Sequence, residues 1–161
     1  MSAEAALVPS RPVRTILTAG TIAGFLDGMD AVVFIGWMSG IPVIRVFQFI
    51  ASGAIGVRAF HGGVATALLG VLFHFGIAMG AAAVFYALST KFPMVLRQPL
   101  VWGAAYGVGV FWFMHYVVVP LSATPRQPPL AARGLANLLF SHIFFVGIPI
   151  AWVTKRSGRT A

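Results

Sequence analysis

GVATALLGVLFHFGIAMGAAAVFYAL, residues 63–88, runs 26 residues without an Asp, Glu, Lys or Arg. About 20 apolar residues in a helix cross a bilayer core. Thr66, Gly70, His74, Ala78 and Ala82 recur at four-residue steps along it. That period belongs to a helix face, not to a strand. The stretch therefore reads as a transmembrane helix with one small-residue stripe and one histidine on that stripe.

The pattern repeats. Three further apolar blocks cover residues 15–38, 100–121 and 135–153, and the breaks between blocks (SGIPVIR, KFPMVLRQP, SATPRQPPLAARG) carry proline, glycine and charge. Proline at such places marks helix ends. The chain is 59% hydrophobic and 9% charged, against about 25% charged in a soluble domain. A soluble protein of this size would expose too much apolar surface. The expected fold is an all-α membrane protein with four transmembrane helices. A short interfacial or re-entrant helix, residues 43–57, is expected between the first and second. There Arg45, Gln48 and Arg58 would face headgroups while Phe47, Ile50 and Ile55 dip inward. The organisation is then an N-terminal tail 1–14, one four-helix transmembrane domain 15–153, and a basic tail 154–161. Arg11 and Arg14 before the first block resemble a signal peptide. The apolar run is about 24 residues, beyond the usual 7–15, so a retained helix is expected.

The net charge is +8. The basic residues lie between and beyond the apolar blocks, with no dense basic run interleaved with aromatics, so nucleic acid is not the expected partner. Four spans would place Arg11, Arg14, Lys91, Arg97, Lys155, Arg156 and Arg159 on one side and Arg45, Arg58, Arg126 and Arg133 on the other. That bias puts both termini in the cytoplasm. The chain has no cysteine, which excludes disulfides, thiolate catalysis and Cys-based zinc sites.

Helices in lipid gain nothing from the hydrophobic effect by associating, so close approach needs small residues. Gly20, Gly24 and Gly28 repeat in the first span, Gly70 lies in the second, and Gly103 and Gly107 lie in the third. These are the candidate packing positions. They do not separate contacts within one chain from a homo-oligomer or a larger membrane complex.

GFLDGMDAVVF, residues 24–34, places two carboxyls inside the first block. A central Asp costs roughly 2.5–3.5 kcal/mol on the insertion scale, so it needs a reason. Asp27 and Asp30 are one helical turn apart on one face. His74, His115 and His142 occupy the second, third and fourth spans. With antiparallel neighbours, Asp30 and the three histidines fall on the side of the midplane away from the termini, and Asp30 matches that level better than Asp27. Three readings compete. The polar groups hold helix register by hydrogen bonds. Alternatively, the five bind or relay protons or ions, since close carboxyls resist joint ionisation and imidazole titrates near neutral pH. Least supported is a haem or metal site: no span carries two histidines at i, i+3 or i+4, so neither cofactor nor metal is expected. Asn137 and Ser141, one turn apart beside His142, are candidate cross-links between helices. Pro149 is expected to kink the last span and free a carbonyl. Trp37, Trp102 and Trp152 near span ends read as interfacial anchors. His61 reads as a solvated interfacial histidine.

Enzyme motifs are missing: no GxSxG elbow, P-loop, HExxH or dinucleotide fingerprint. An aspartyl dyad on one helix at i, i+3 lacks the required geometry. The expected function is proton- or ion-linked membrane activity, without enzymatic chemistry. The alternative is a structural or accessory subunit of a larger membrane complex.

FHFGIAMGAAAVFYALSTKFP, GAAYGVGVFWFMHYVVVPLSATP and FSHIFFVGIPIAWVTKR, within residues 61–157, resemble the YagU-like group of small bacterial inner-membrane proteins. Shared are a membrane histidine, an FP loop, a His–x4–Pro span and a final span with a histidine and a basic tail. LDGMDAVVF and FQFIASGAIG also resemble a widespread group of bacterial four-span proteins. The loop between the first two spans is shorter here than in the YagU-like pattern. The resemblance implies a bacterial inner membrane and a shared fold, and it carries no activity over to residues.

Overall fold

A computed structural model describes residues 11–38, 40–126 and 131–158. Among the described residues every regular element is helical, and five helices are long and apolar enough to cross a membrane. We label them α1 (Pro12–Met38), α2 (Val43–His61), α3 (Gly63–Lys91), α4 (Pro99–Leu121) and α5 (Ala132–Gly158). The helices overrun the apolar blocks. At their ends Arg14, Lys91, Lys155 and Arg156 have stems that would carry charge beyond the hydrocarbon of a bilayer. Residues 1–10 and 159–161 of the expected tails lie outside the described residues.

Local chemistry sets the boundaries. Pro12 and Pro99 stand at the first helical positions of α1 and α4, where a missing N–H costs nothing. Gly56 has φ +62° and Gly63 has φ +56°. These left-handed positions, open to glycine without strain, divide α2 into an α-helix Val43–Ile55 and a 3-10 turn Gly56–His61 and then separate it from α3. Three helices widen locally to π geometry: Ala31–Met38 in α1, Met114–Val118 in α4 and His142–Gly147 in α5. The last two run up to Pro120 and Pro149, whose rings crowd the carbonyls one turn before them and supply no N–H. The backbone answers with longer bonds, from Val119 to Met114 and from Ile148 to Ile143. Pro149 thus acts through a widened turn.

α1 packs between α3 and α5, and α4 packs on α5. Small residues form each seam. A Cβ on Gly20 would meet Met79 Cα of α3 at 2.7 Å, and one on Gly24 would meet Phe75 at 2.9 Å. Gly103 faces Ile148 Cα at 2.8 Å, and Gly107 and Gly147 abut the backbone of the opposite helix. Where backbones meet this closely, dispersion would replace the hydrophobic drive that a lipid setting lacks. Ala19, Ala23, Ala82, Phe85, Leu96, Val146, Ile150 and Ala151 form the core, toward the end that holds Pro12 and Gly158.

α2 lies along the first half of α3, its Phe47 carbonyl resting on Gly70. Its two ends are tied together: Arg45 Nη1 donates to the Phe60 carbonyl at 2.9 Å. The sequence places Gln48 toward headgroups, but it is buried at 2% exposure. Its amide donates to the Gly63 carbonyl at 3.0 Å and to Thr66 Oγ1 at 3.3 Å. The Gly63 carbonyl and the Thr66 hydroxyl in the first turn of α3 draw it inward. The expected apolar segment 43–57 extends to His61 because the 3-10 turn continues it.

Candidate functional site

Asp27 and Asp30 face α5. Ser141 Oγ donates to Asp27 Oδ1 at 2.6 Å, and Asn137 Nδ2 donates to Asp30 Oδ2 at 2.8 Å. One helical turn further out, the Arg133 guanidinium lies 5.5 Å from the Phe34 ring centroid. Arg133, Asn137 and Ser141 stand at four-residue steps on α5. They match Phe34, Asp30 and Asp27 in antiparallel order on α1. The result is a three-rung polar seam. It descends roughly 12 Å at 1.5 Å per residue, from the outer end of α5 to the middle of α1. Both carboxyls are half-buried and Ser141 is buried. Among the described residues neither carboxyl forms an ion pair. Below Asp27 the seam closes on Ala23, Ala19, Val146 and Ile150 of the core.

The three histidines do not join the carboxyls. His74 reaches α1 on its other face: Nε2 donates to the Gly24 carbonyl at 2.7 Å, and a Cβ on Gly28 would meet it at 3.2 Å. His142 Nδ1 donates to the Leu138 carbonyl of its own helix at 2.8 Å. His115 stacks on Phe111 at 5.7 Å, and His142 meets the same ring edge-on at 5.9 Å. Among the described residues no three His, Cys, Asp or Glu side chains converge as a metal would require. The expected single Asp/His cluster is thus two structures: a carboxyl seam on α1–α5, and histidines set against backbone carbonyls and aromatic rings. In level, Asp27 rather than Asp30 stands beside His142, since Ser141 bonds Asp27, and beside His74, which lies on Gly28.

Sequence reasoning set Arg133 down as loop charge, yet it forms the outer rung. The i, i+4, i+8 spacing of Arg133, Asn137 and Ser141 is the signal that would have found it. The π segments in α1, α4 and α5 begin at or beside Asp30, His115 and His142. Such segments often accompany functional positions.

Comparison of the chain with protein-family models, curated proteins and solved structures found no match.

Proposed function

We propose that this chain is an integral membrane protein whose Asp27–Asp30 seam binds and releases protons or small cations. In this reading α1, α3, α4 and α5 cross the bilayer and α2 is a re-entrant or interfacial hairpin. The Arg45–Phe60 hydrogen bond supports that topology, because it joins the two ends of α2. Both termini then lie on one side, cytoplasmic by the excess of Lys and Arg there. The YagU-like resemblance would place the chain in a bacterial inner membrane.

One observation carries the functional reading. Two carboxyls within a membrane-length helix are held by a hydroxyl and an amide rather than by a cation. An ion pair would fix the negative charge. Neutral donors leave the carboxyls without a fixed counter-charge, and intramembrane carboxyls of this kind mark ion and proton paths. The sealed core beneath Asp27 makes exchange one-sided in this conformation, from the Arg133 end. The test is dissipation of an imposed pH gradient by the protein in proteoliposomes. Asp27→Asn with Asp30→Asn is expected to abolish it. Flux unchanged by both substitutions sinks the proposal.

The histidines favour a second reading. His74 spends its ring N–H on the Gly24 carbonyl of α1, as a residue that holds register does, and His142 spends one within its own helix. In that case the chain is an accessory subunit, and it would leave native membranes with one stoichiometric partner under mild detergent.

A further inference from the structure

The groups bonded to the two carboxyls are hydrogen-bond donors. Ser141 gives its hydroxyl proton to Asp27, and Asn137 gives its amide N–H, not its carbonyl, to Asp30. The outer rung, Arg133, carries donors only. A desolvated metal cation needs the opposite lining, about six oxygen ligands. Among the described residues no three His, Cys, Asp or Glu side chains converge to help supply them. A proton needs no such cage, because one carboxyl takes it up alone.

Releasing that proton leaves a negative charge inside a helix of membrane length, which is costly without a counter-charge. One cation stands on the seam. The Arg133 guanidinium lies 5.5 Å from the Phe34 ring centroid, within the range of a cation–π contact, and the side chain is exposed. Asn137, one turn along α5 from Arg133, holds Asp30, one turn along α1 from Phe34. A turn is roughly 5.4 Å, a distance that rotation about the bonds of the arginine stem covers. The histidines packed nearby turn to other partners. His74 donates to the Gly24 carbonyl on the α3 face of α1, His142 donates to the Leu138 carbonyl, and His115 stacks on Phe111.

We propose that the seam carries protons and not metal cations, and that Arg133 supplies the counter-charge by moving one rung inward, from Phe34 to Asp30, when Asp30 is ionised. The inference rests on the seam reading given above and narrows it to one ion. The arrangement described is the loaded state, with Asp30 on the neutral amide and the guanidinium on the ring. When Asp30 gives its proton to water at the outer end, the guanidinium donates two parallel N–H bonds to the carboxylate. A proton taken from water ends that pairing, and the guanidinium returns to Phe34. A tethered cation at the mouth also repels any metal ion that would take its place.

The experiment uses the full chain in proteoliposomes under an imposed pH gradient, with sodium, potassium or choline as the bulk cation. Wild-type proton flux is expected to agree within twofold in all three, and radioactive sodium is expected not to enter. R133Q should lower proton flux at least fivefold while its unfolding curve overlays that of wild type, and R133K should keep at least half. The chain has no cysteine, so R133C permits a charge-specific rescue. Aminoethyl methanethiosulfonate, which adds an ammonium, should restore flux in R133C, and neutral methyl methanethiosulfonate should not. Should R133Q fail to fold, R133C before and after each reagent decides within one preparation. Flux unchanged in R133Q, a loss in R133K as deep as in R133Q, an equal effect of the two reagents, or sodium entry that D30N removes would each overturn the inference and leave the seam reading in place. Flux unchanged by D27N with D30N overturns the seam reading itself.

Discussion

Ser141 Oγ donates to Asp27 Oδ1 at 2.6 Å, tying the last helix to the first across 114 residues of chain. The bond sits where α5 passes from α to π geometry. It is the innermost rung of the α1–α5 seam. Interhelical hydrogen bonds in membranes average about 0.6 kcal/mol and reach about 1.7. Ser141→Ala is expected to lower stability toward the upper part of that range, because Ser141 is buried and Asp27 has no other donor among the described residues. A double-mutant cycle with Asp27→Asn, read by reversible unfolding in mixed micelles, checks this. Additive losses would show that the two residues are not coupled.

The glycines divide into two groups whose behaviour should differ. A Cβ on Gly147 would meet the Gly103 carbonyl and lie 2.6 Å from Gly107 N, all of it backbone. Gly147→Ala must therefore push α4 away from α5. At Gly109 and Gly80 a Cβ would meet nothing within 4 Å. There alanine gains the ordinary helix advantage of about 0.5–1 kcal/mol. The expectation is a loss of at least about 2 kcal/mol at Gly147, by analogy with overpacked cores. Gly109→Ala should be neutral or stabilising in the same unfolding assay.

How far these relationships could be read in advance depends on the residue. Gly20, Gly24 and Gly28 repeat every four residues, and a small-residue repeat in lipid favours close helix approach, so a packing seam is visible in the chain, though not that α3 is its partner. Asp27 and Asp30 stand out because carboxyls inside an apolar block are costly. Which neighbour each one meets was not legible. That depends on how α1 is rotated between α3 and α5, and the glycines settle it only by giving one face to α3. His74 lies on that glycine face and so meets the Gly24 carbonyl rather than a carboxyl. Gln48 was misplaced for a related reason. Its hydrophilicity points to water, but the first turn of α3 offers it the Gly63 carbonyl and the Thr66 hydroxyl inside the fold. The π turns follow from Pro120 and Pro149 in α4 and α5, whereas the stretch Ala31–Met38 contains no proline and has no sequence signal that we can name.

Topology gives a third prediction. The natural chain has no cysteine, so single cysteines report without background. If α2 returns to the surface it left, Val13→Cys and Ser157→Cys are labelled from one side of intact vesicles. Arg58→Cys and Arg126→Cys are then labelled from the other. If α2 crosses, positions 13 and 157 fall on opposite sides. A membrane-impermeant maleimide added before and after permeabilisation decides between them.

Gln48 holds the α2 hairpin to α3 by its amide, and its carbonyl oxygen is buried without a partner. Gln48→Leu removes two hydrogen bonds, at about 0.5–1.5 kcal/mol each, and also removes the unmatched oxygen, which itself costs about 1–3 kcal/mol. The two effects oppose. Overall stability is therefore expected to change by less than about 1 kcal/mol. The freed Gly63 carbonyl and Thr66 should still loosen the hairpin, and amide exchange within Gly56–His61 should rise. Unchanged exchange there would mean that Arg45, bonded to Phe60, and Thr66, bonded to Ala59, hold the turn without Gln48.

His74 separates the two functional readings most directly. Its Nε2 donates to the Gly24 carbonyl, and its ring fills the space over Gly28 between Phe47 and Phe75, 6.5 and 5.6 Å away. Glutamine retains an N–H donor of similar reach but cannot take up a proton near neutral pH. If His74 only positions α1, His74→Gln should keep stability within about 0.5 kcal/mol, whereas His74→Leu loses up to about 1.7 kcal/mol, the upper range for such bonds. Proton flux in proteoliposomes should then be unchanged in His74→Gln. Should flux fall by tenfold or more in His74→Gln while its unfolding curve overlays wild type, the imidazole takes part in proton movement. The carboxyl seam would then communicate with the α3 face through Gly28.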